Sequence, residues 1–139
     1  MSTPPQSTPT PPERSVWTAL WRGIRCRCPA CGVGRIFRAY LKVVDRCDAC
    51  GEDLSHQRAD DAPAYFTMVI VGHIVVGGVL ILERSVAPDI WVHMVLWLPL
   101  TVGLSLTLLP MVKGGLVGLQ WALRMHGFAA EAEPASRTL

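Results

Sequence analysis

The sequence contains two long apolar stretches without a formal charge. Residues 62–82 and residues 90–112 contain no Asp, Glu, Lys or Arg. At ~1.5 Å of rise per residue, the first stretch spans ~31 Å as a helix, which matches a bilayer hydrocarbon core of ~30 Å. The pattern predicts two transmembrane helices at 62–82 and 90–112, joined by a short loop at 83–89.

Amphipathic segments flank this helical hairpin. In residues 14–25, large apolar side chains recur at i, i+1, i+4, i+5 and i+8 from Val16 and include Trp17 and Trp21. This pattern predicts a helix in the lipid headgroup layer, with packing on the neighbouring domain as the alternative. A second interfacial helix is predicted for residues 113–128.

Composition separates the remaining segments and excludes some classes of protein. Residues 1–13 are rich in Pro, Ser and Thr and are expected to form a disordered tail; residues 55–61 form a polar linker and 129–139 a polar tail. The chain is 50% hydrophobic and 17% charged, which excludes a disordered protein and does not fit an ordinary soluble globule. Its net charge of +2 gives no reason to expect a nucleic-acid partner.

The distribution of basic residues predicts the orientation of the hairpin. The loop at 83–89 contains one basic residue, Arg84, whereas four lie near the other two helix ends. These four are Arg46, Arg58, Lys113 and Arg124. The positive-inside rule therefore places both termini in the cytoplasm and the loop in the periplasm. Cysteines on the cytoplasmic side face a reducing compartment, where metal binding is favoured over disulfides.

The strongest chemical signal is a pair of C-x2-C motifs. Cys28 and Cys31 are followed, after fifteen residues, by Cys47 and Cys50. This spacing is typical of a structural Zn²⁺ site, and the strand-forming residues between the pairs predict a zinc-ribbon-like head over residues 26–54. A glycine after each pair favours the left-handed backbone that directs amide N–H groups at the sulfurs.

Four thiolates around Zn²⁺ carry a net charge of −2, which Arg27, Arg35 and Arg46 are expected to offset. Such a site has no free coordination position, so it is expected to stabilise the fold rather than to catalyse, and the chain is not expected to be an enzyme. A redox dithiol pair and an iron–sulfur centre are the alternatives for these cysteines. Cys26 is a spare thiol, interpreted as a packing residue, a thiol that exchanges with Cys28, or an oxidation-sensitive site.

Three further ionisable residues in or beside the apolar stretches are candidate functional residues. His73 falls near the middle of the first stretch, and the preferred interpretation is a neutral imidazole hydrogen-bonded to Thr101, Ser105 or Thr107 of the second. The alternative is a proton relay or a metal or haem ligand.

Glu83 and His93 flank the loop and are expected to approach each other across it. A simple interfacial pair is the preferred interpretation, and binding of a metal or of protons is the alternative.

Several of these segments together resemble one known family. The segments are CPACGVGRIFRAYLKVVDRCDACGEDL, Asp60-Asp61-Ala62-Pro63, WVHMVLWLPL, Leu109-Pro110 and Lys113-Gly114. Over roughly residues 22–122 the chain resembles the bacterial domain of unknown function 983 family (DUF983). The resemblance implies a small protein of the bacterial inner membrane, with a zinc-ribbon-like head and two membrane spans. It implies no established activity, and it suggests a genomic context near cytochrome oxidase assembly functions.

Three functions are compatible with these features. The first is a membrane-anchored adaptor or accessory subunit that contacts the lipid bilayer and either a membrane-protein partner or a second copy of itself. The second is a factor for cytochrome oxidase assembly or for metal or haem handling, which would use His73, Glu83, His93 or Cys26. The third is a membrane thiol redox protein. No small-molecule substrate can be identified from the sequence.

Overall fold

The computed structural model of the protein describes residues 12–58 and 61–128. The elements within these ranges are α1 (Val16–Ile24), β1 (Phe37–Ala39), β2 (Lys42–Val43), α2 (Ala62–Ser85) and α3 (Ile90–Ala122). The polar tail predicted at 129–139, most of the tail predicted at 1–13, and Asp60 lie outside the described residues.

The head contains the small sheet expected for the cysteine-rich segment. β1 and β2 pair antiparallel, with Phe37 opposite Val43 and Ala39 opposite Lys42. Leu41 in the connecting turn has a φ of 60°. Two isolated antiparallel bridges join Arg27 to Arg35 and Arg46 to Asp53. Each bridge closes the loop that contains one cysteine pair. The architecture is therefore a zinc-ribbon-like head with short strands, as predicted.

Helices α2 and α3 correspond to the two apolar stretches. Their mean hydropathies over the most apolar windows are 2.2 and 1.9, and only 11% and 0% of those windows is buried within the molecule. By length and composition, both helices could cross a membrane. Their exposure differs from that of core helices in a soluble protein, whose apolar side chains are mostly buried. α2 continues to Ser85, so Glu83 lies in the helix rather than in the predicted loop.

The prediction of a separate interfacial helix at 113–128 is wrong, because α3 continues without interruption to Ala122. The physical reason is the small-residue surface of this segment. Gly114 and Gly118 are buried against α1, where a Cβ on either would collide with the backbone of Gly23 or Ala19. This part of α3 therefore packs on protein. The chain leaves the helix after Ala122, and Phe128 ends the described region as a buried side chain.

The first helix packs on α3, which agrees with the alternative interpretation of its sequence pattern, while its position in the lipid headgroup layer stays a prediction. Ala19 and Gly23 face α3 and are buried. Trp17 and Trp21 point away from it, with exposed fractions of 73% and 48%. α1 therefore packs on its neighbour through small residues and leaves an aromatic surface free.

Polar contacts fix the head, and the segments before and after it, to the C-terminal end of α3. The indole N–H of Trp121 donates to Glu52 Oε1 at 2.8 Å, and the Arg14 guanidinium donates to the Trp121 carbonyl at 2.9 Å. The Gln120 side-chain amide accepts from the backbone N–H of Arg58 at 2.9 Å and donates to its carbonyl. Ile36 of the head and Val117 of α3 form a shared buried core. The end of α3 is therefore a structural part of the head.

Candidate metal centre

The structure brings the four predicted cysteines together. One sulfur from each of Cys28, Cys31, Cys47 and Cys50 lies within 4.8 Å of the other three. The Cys28–Cys50 and Cys31–Cys47 sulfur pairs are each separated by 3.7 Å. A tetrahedral ion with metal–sulfur bonds of ~2.3 Å places its sulfurs ~3.8 Å apart. The donor set and its spacing therefore fit one metal ion coordinated by four sulfurs.

Each cysteine pair is held in the same local turn. The amide of Gly32 donates to the carbonyl of Cys28 at 2.8 Å, and the amide of Gly51 donates to that of Cys47 at 2.9 Å. Both glycines have positive φ values, 72° and 76°, as predicted from their position after each pair. Because a glycine enters this conformation without steric cost, each turn presents two sulfurs to one point.

The protonation states of the thiols differ across the cluster. Hydrogen bonding from the backbone of Gly34 lowers the pKa of Cys31 to about 6, so its thiolate is the favoured form at neutral pH. Burial raises the pKa of Cys28 and that of Cys50. The thiol of the buried Cys28 holds its proton more firmly without a cation, and a bound metal ion would reverse this preference by displacing the proton.

Two residues that support the centre were not found from the sequence. Arg22, in the last turn of α1, donates to the carbonyls of Pro29 and Ala30 at 3.2 and 3.0 Å and so fixes the first cysteine turn. Gly34 is buried, and a Cβ at this position would collide with Cys47 Sγ. Arg22 could have been identified from the sequence as a basic residue at the end of a predicted helix, six positions before Cys28. Nothing in the sequence near Gly34 indicates its contact with Cys47.

The three arginines expected to offset the thiolate charge have different contacts. Arg27 donates to the carbonyl of Val33 at 3.2 Å and lies opposite Arg35 in a backbone bridge. Arg46 lies opposite Asp53 in the other bridge. Their role in charge compensation stays a prediction.

Cys26 lies outside the four-sulfur cluster. Its sulfur is 3.8 Å from the carbonyl oxygen of Pro110 and 3.9 Å from that of Ile24, and its φ is 58°. Burial raises the pKa of this thiol. These contacts favour the packing role among the three interpretations of Cys26.

The structure does not place His73 as the sequence led us to expect. Its Nδ1 lies 2.7 Å from the carbonyl oxygen of Val69, on its own helix, and the side chain is exposed. The predicted hydrogen bond to Thr101, Ser105 or Thr107 is wrong. Thr101 and Thr107 instead donate to carbonyls of their own helix, at Trp97 and Gly103.

His93 and Glu83 do approach each other. His93 Nε2 lies 3.1 Å from Glu83 Oε2, and the indole N–H of Trp97 donates to His93 Nδ1 at 3.2 Å. Both ring nitrogens of His93 are thus engaged by protein groups. The approach of His93 and Glu83 is therefore present as expected, while the position of this pair at the membrane interface stays a prediction.

The chain thus combines a head whose four clustered cysteines could bind one metal ion with two helices that could cross a membrane. The family model described as "Protein of unknown function (DUF983)" matches residues 37–121, and the chain belongs to this family. The match is narrower than the resemblance expected over residues 22–122, and it includes Cys47 and Cys50 but begins after Cys28 and Cys31. No curated protein and no solved structure matches the chain.

Proposed function

We propose that this chain is an integral protein of the bacterial inner membrane, and that it serves as an adaptor or accessory subunit of a membrane complex. A structural zinc ion would stabilise its cytoplasmic head. The observation that carries the proposal is the closed cluster of four sulfurs within 4.8 Å of one another. Four protein sulfurs fill a tetrahedral coordination shell and leave no position for water or substrate.

Zinc is the metal that this donor set and compartment favour. A site of four thiolates selects zinc or iron among the common ions, and one tetrahedral ion with closed coordination is typical of structural zinc. Cys28, Cys31, Cys47 and Cys50 would hold the ion, which supplies folding free energy to a head whose strands are only three and two residues long.

The placement of the head supports the proposed orientation. Basic residues cluster where α1 and the head meet the C-terminal end of α3, whereas the 83–89 loop contains Arg84 alone. Lys113, at the end of the uncharged stretch, donates to the carbonyl of Leu41 in the head at 2.7 Å. The head and its positive charge thus share one end of the helical hairpin, which is the cytoplasmic end under the positive-inside rule.

A partner within the bilayer is supported by the surface between the two long helices. A groove of about 400 Å³ runs between α2 and α3 and is lined by Thr67, Thr101 and Ser105 among apolar residues. Thr67 Oγ1 is buried without a hydrogen-bond partner in the described part of the chain. A helix of another membrane protein or of a second copy would supply both the apolar cover and a polar contact.

The metal- or haem-handling alternative receives less support, because Cys26 lies far from the Glu83–His93 pair. Cys26 contacts Pro110, while His93 lies seventeen positions earlier on the same helix. At ~1.5 Å per residue this is ~25 Å along the axis, too far for the two to share one ion.

The thiol redox alternative requires the four sulfurs to cycle between dithiol and disulfide. Zinc that stays bound during mild oxidation would exclude it.

The experiment that tests the adaptor role is purification of the full chain from membranes in mild detergent, followed by mass determination of the intact assembly. We expect a stoichiometric partner or second copy with the wild type. Cys28→Ser should lose that partner while the chain stays in the membrane fraction, and Cys26→Ser is the matched control. A chain that is monomeric under all detergent conditions would contradict the adaptor role.

A further inference from the structure

A cavity of about 290 Å³ lies between the end of α1 and the first part of the head. It is lined by Arg25, Cys26, Arg27, Arg35 and Phe37. Three of these five residues carry a positive charge. Arg27 and Arg35 are direct partners in an antiparallel bridge, which places their side chains on the same face. Like charges directly opposite each other are destabilising, and a bound anion would remove that repulsion.

Protein carboxylates do not neutralise this cavity in the described residues. The side-chain ion pairs within 12–58 and 61–128 are His56–Asp53 and His93–Glu83, and neither involves these arginines. Arg25 lies over the ring of Trp21, at 4.9 Å from the ring centroid. The cavity therefore concentrates positive charge next to an exposed tryptophan.

The cavity also lies beside α3, near the end of its uncharged stretch. The sulfur of Cys26, one of the lining residues, is 3.8 Å from the carbonyl oxygen of Pro110. Pro110 is three positions before Lys113, which ends the uncharged stretch of α3. If α3 spans the bilayer, the end of its apolar stretch is where lipid phosphates lie.

From these observations we propose that the cavity binds the phosphate group of an anionic phospholipid headgroup. The inference rests on the membrane placement proposed above. Arg25, Arg27 and Arg35 supply charge-assisted hydrogen bonds to the phosphate oxygens. Phe37 gives the cavity an apolar wall, and Trp21 lies beside it against Arg25. Such aromatic rings partition into the headgroup layer and so suit a lipid better than free phosphate. The site would anchor the head against the inner leaflet.

Lipid retention by the full chain tests this inference. The protein is purified in mild detergent and incubated with phosphatidylglycerol or with phosphatidylcholine of the same acyl chains, and bound lipids are counted by native mass spectrometry. We expect one retained phosphatidylglycerol and weaker retention of phosphatidylcholine. The loss of one arginine near an anionic membrane surface lowers the affinity for anionic lipid roughly fivefold. The double variant Arg27→Gln with Arg35→Gln should therefore lower the affinity for phosphatidylglycerol roughly 25-fold.

Arg38→Gln is the matched control, because Arg38 is an exposed arginine of the same head that does not line the cavity. It should leave retention unchanged. Arg25→Gln provides a second cavity variant that removes no backbone hydrogen bond. Unchanged metal content shows that each variant still has a folded head.

Three results would overturn the inference. The first is equal retention of phosphatidylglycerol and phosphatidylcholine. The second is an equal loss of phosphatidylglycerol retention in Arg38→Gln and in the cavity variants. The third is full displacement of phosphatidylglycerol by millimolar inorganic phosphate. The last result would identify a site for free phosphate. Recovery of the chain in the membrane fraction is measured on the same preparation, so failure of the membrane placement is distinguished from failure of the lipid site.

Discussion

The hydroxyl of Tyr40 donates a hydrogen bond to the carbonyl oxygen of Leu106 at 2.8 Å. In a regular helix that carbonyl accepts from the backbone N–H four residues later, but the residue there is Pro110, which has no N–H. The hairpin turn between β1 and β2 therefore supplies a donor that the helix lacks. A proline in α3 thus becomes an attachment point for the head.

This relationship gives a prediction with an internal control. Tyr40→Phe leaves the Leu106 carbonyl without a partner and should destabilise the head by about 1 kcal/mol. In a Pro110→Ala background the new backbone N–H pairs with Leu106, so Tyr40→Phe should then cost close to nothing. The measurement is the thermal unfolding midpoint of the full chain in detergent for the four members of the cycle. Equal destabilisation in both backgrounds would show that the two residues are not coupled.

A second prediction concerns the close approach of Gly34 to the metal centre. Gly34→Ala places a Cβ in collision with Cys47 Sγ, so the head must shift at a cost of about 1–3 kcal/mol and metal occupancy should fall. Gly51→Ala is the comparison variant. It has open space around its Cβ and only the backbone strain of a positive φ, about 1–2 kcal/mol. Metal content per chain should fall in the first variant and be retained in the second; the reverse order would contradict the geometry.

The packing of α1 on α3 gives a third prediction. Gly114→Ala brings a Cβ against the backbone of Gly23 and should loosen α1. Gly103→Ala, on the same helix, has no neighbour within 4 Å of the added Cβ and should have no such effect. Hydrogen exchange of the α1 amides, followed by mass spectrometry, measures the difference. Unchanged protection in Gly114→Ala would rule out the close backbone contact.

A fourth prediction is a pH effect at the second cysteine turn. The hydroxyl and the backbone N–H of Ser55 donate to Asp53 Oδ1 at 2.5 and 2.9 Å, and the side-chain bond lowers the pKa of Asp53 below its ordinary value. The stabilisation is therefore fully present above the ordinary pKa of the carboxyl and is lost as pH falls through the lowered folded-state value. Ser55→Ala should raise the pKa of Asp53, as measured by carboxyl NMR titration. An identical titration curve would exclude the side-chain hydrogen bond as the cause.

The sequence predicted those features that depend on local spacing. The two C-x2-C motifs and their glycines specify turns of a few residues, and the structure shows both turns and the expected four-sulfur cluster. The two long helices followed from uncharged length alone. Each turn and each helix is determined by interactions within one segment, and the assembly of the two turns into one cluster followed from the matching cysteine pairs.

Structural features that depend on contacts between distant segments could not be predicted from local spacing in the sequence. Helix α3 continues to Ala122 because Gly114 fits against Gly23 and Gly118 against Ala19, residues 91 and 99 positions away in the sequence. The partners of Tyr40 and Gly34 likewise lie on other elements. His73 was wrongly assigned a partner on the second helix, because a periodic pattern does not fix which faces of two helices meet.

The decisive measurement for the four-cysteine centre is the metal content of the full chain purified from membranes. Elemental mass spectrometry should find one zinc per chain in the wild type and in Cys26→Ser, and almost none in Cys28→Ser or Cys50→Ser. Because folding of the head is coupled to metal binding, the last two variants should also become sensitive to proteolysis in residues 26–54. A wild-type chain without a transition metal, or the same zinc loss in Cys26→Ser as in Cys28→Ser, would contradict the four-cysteine metal centre.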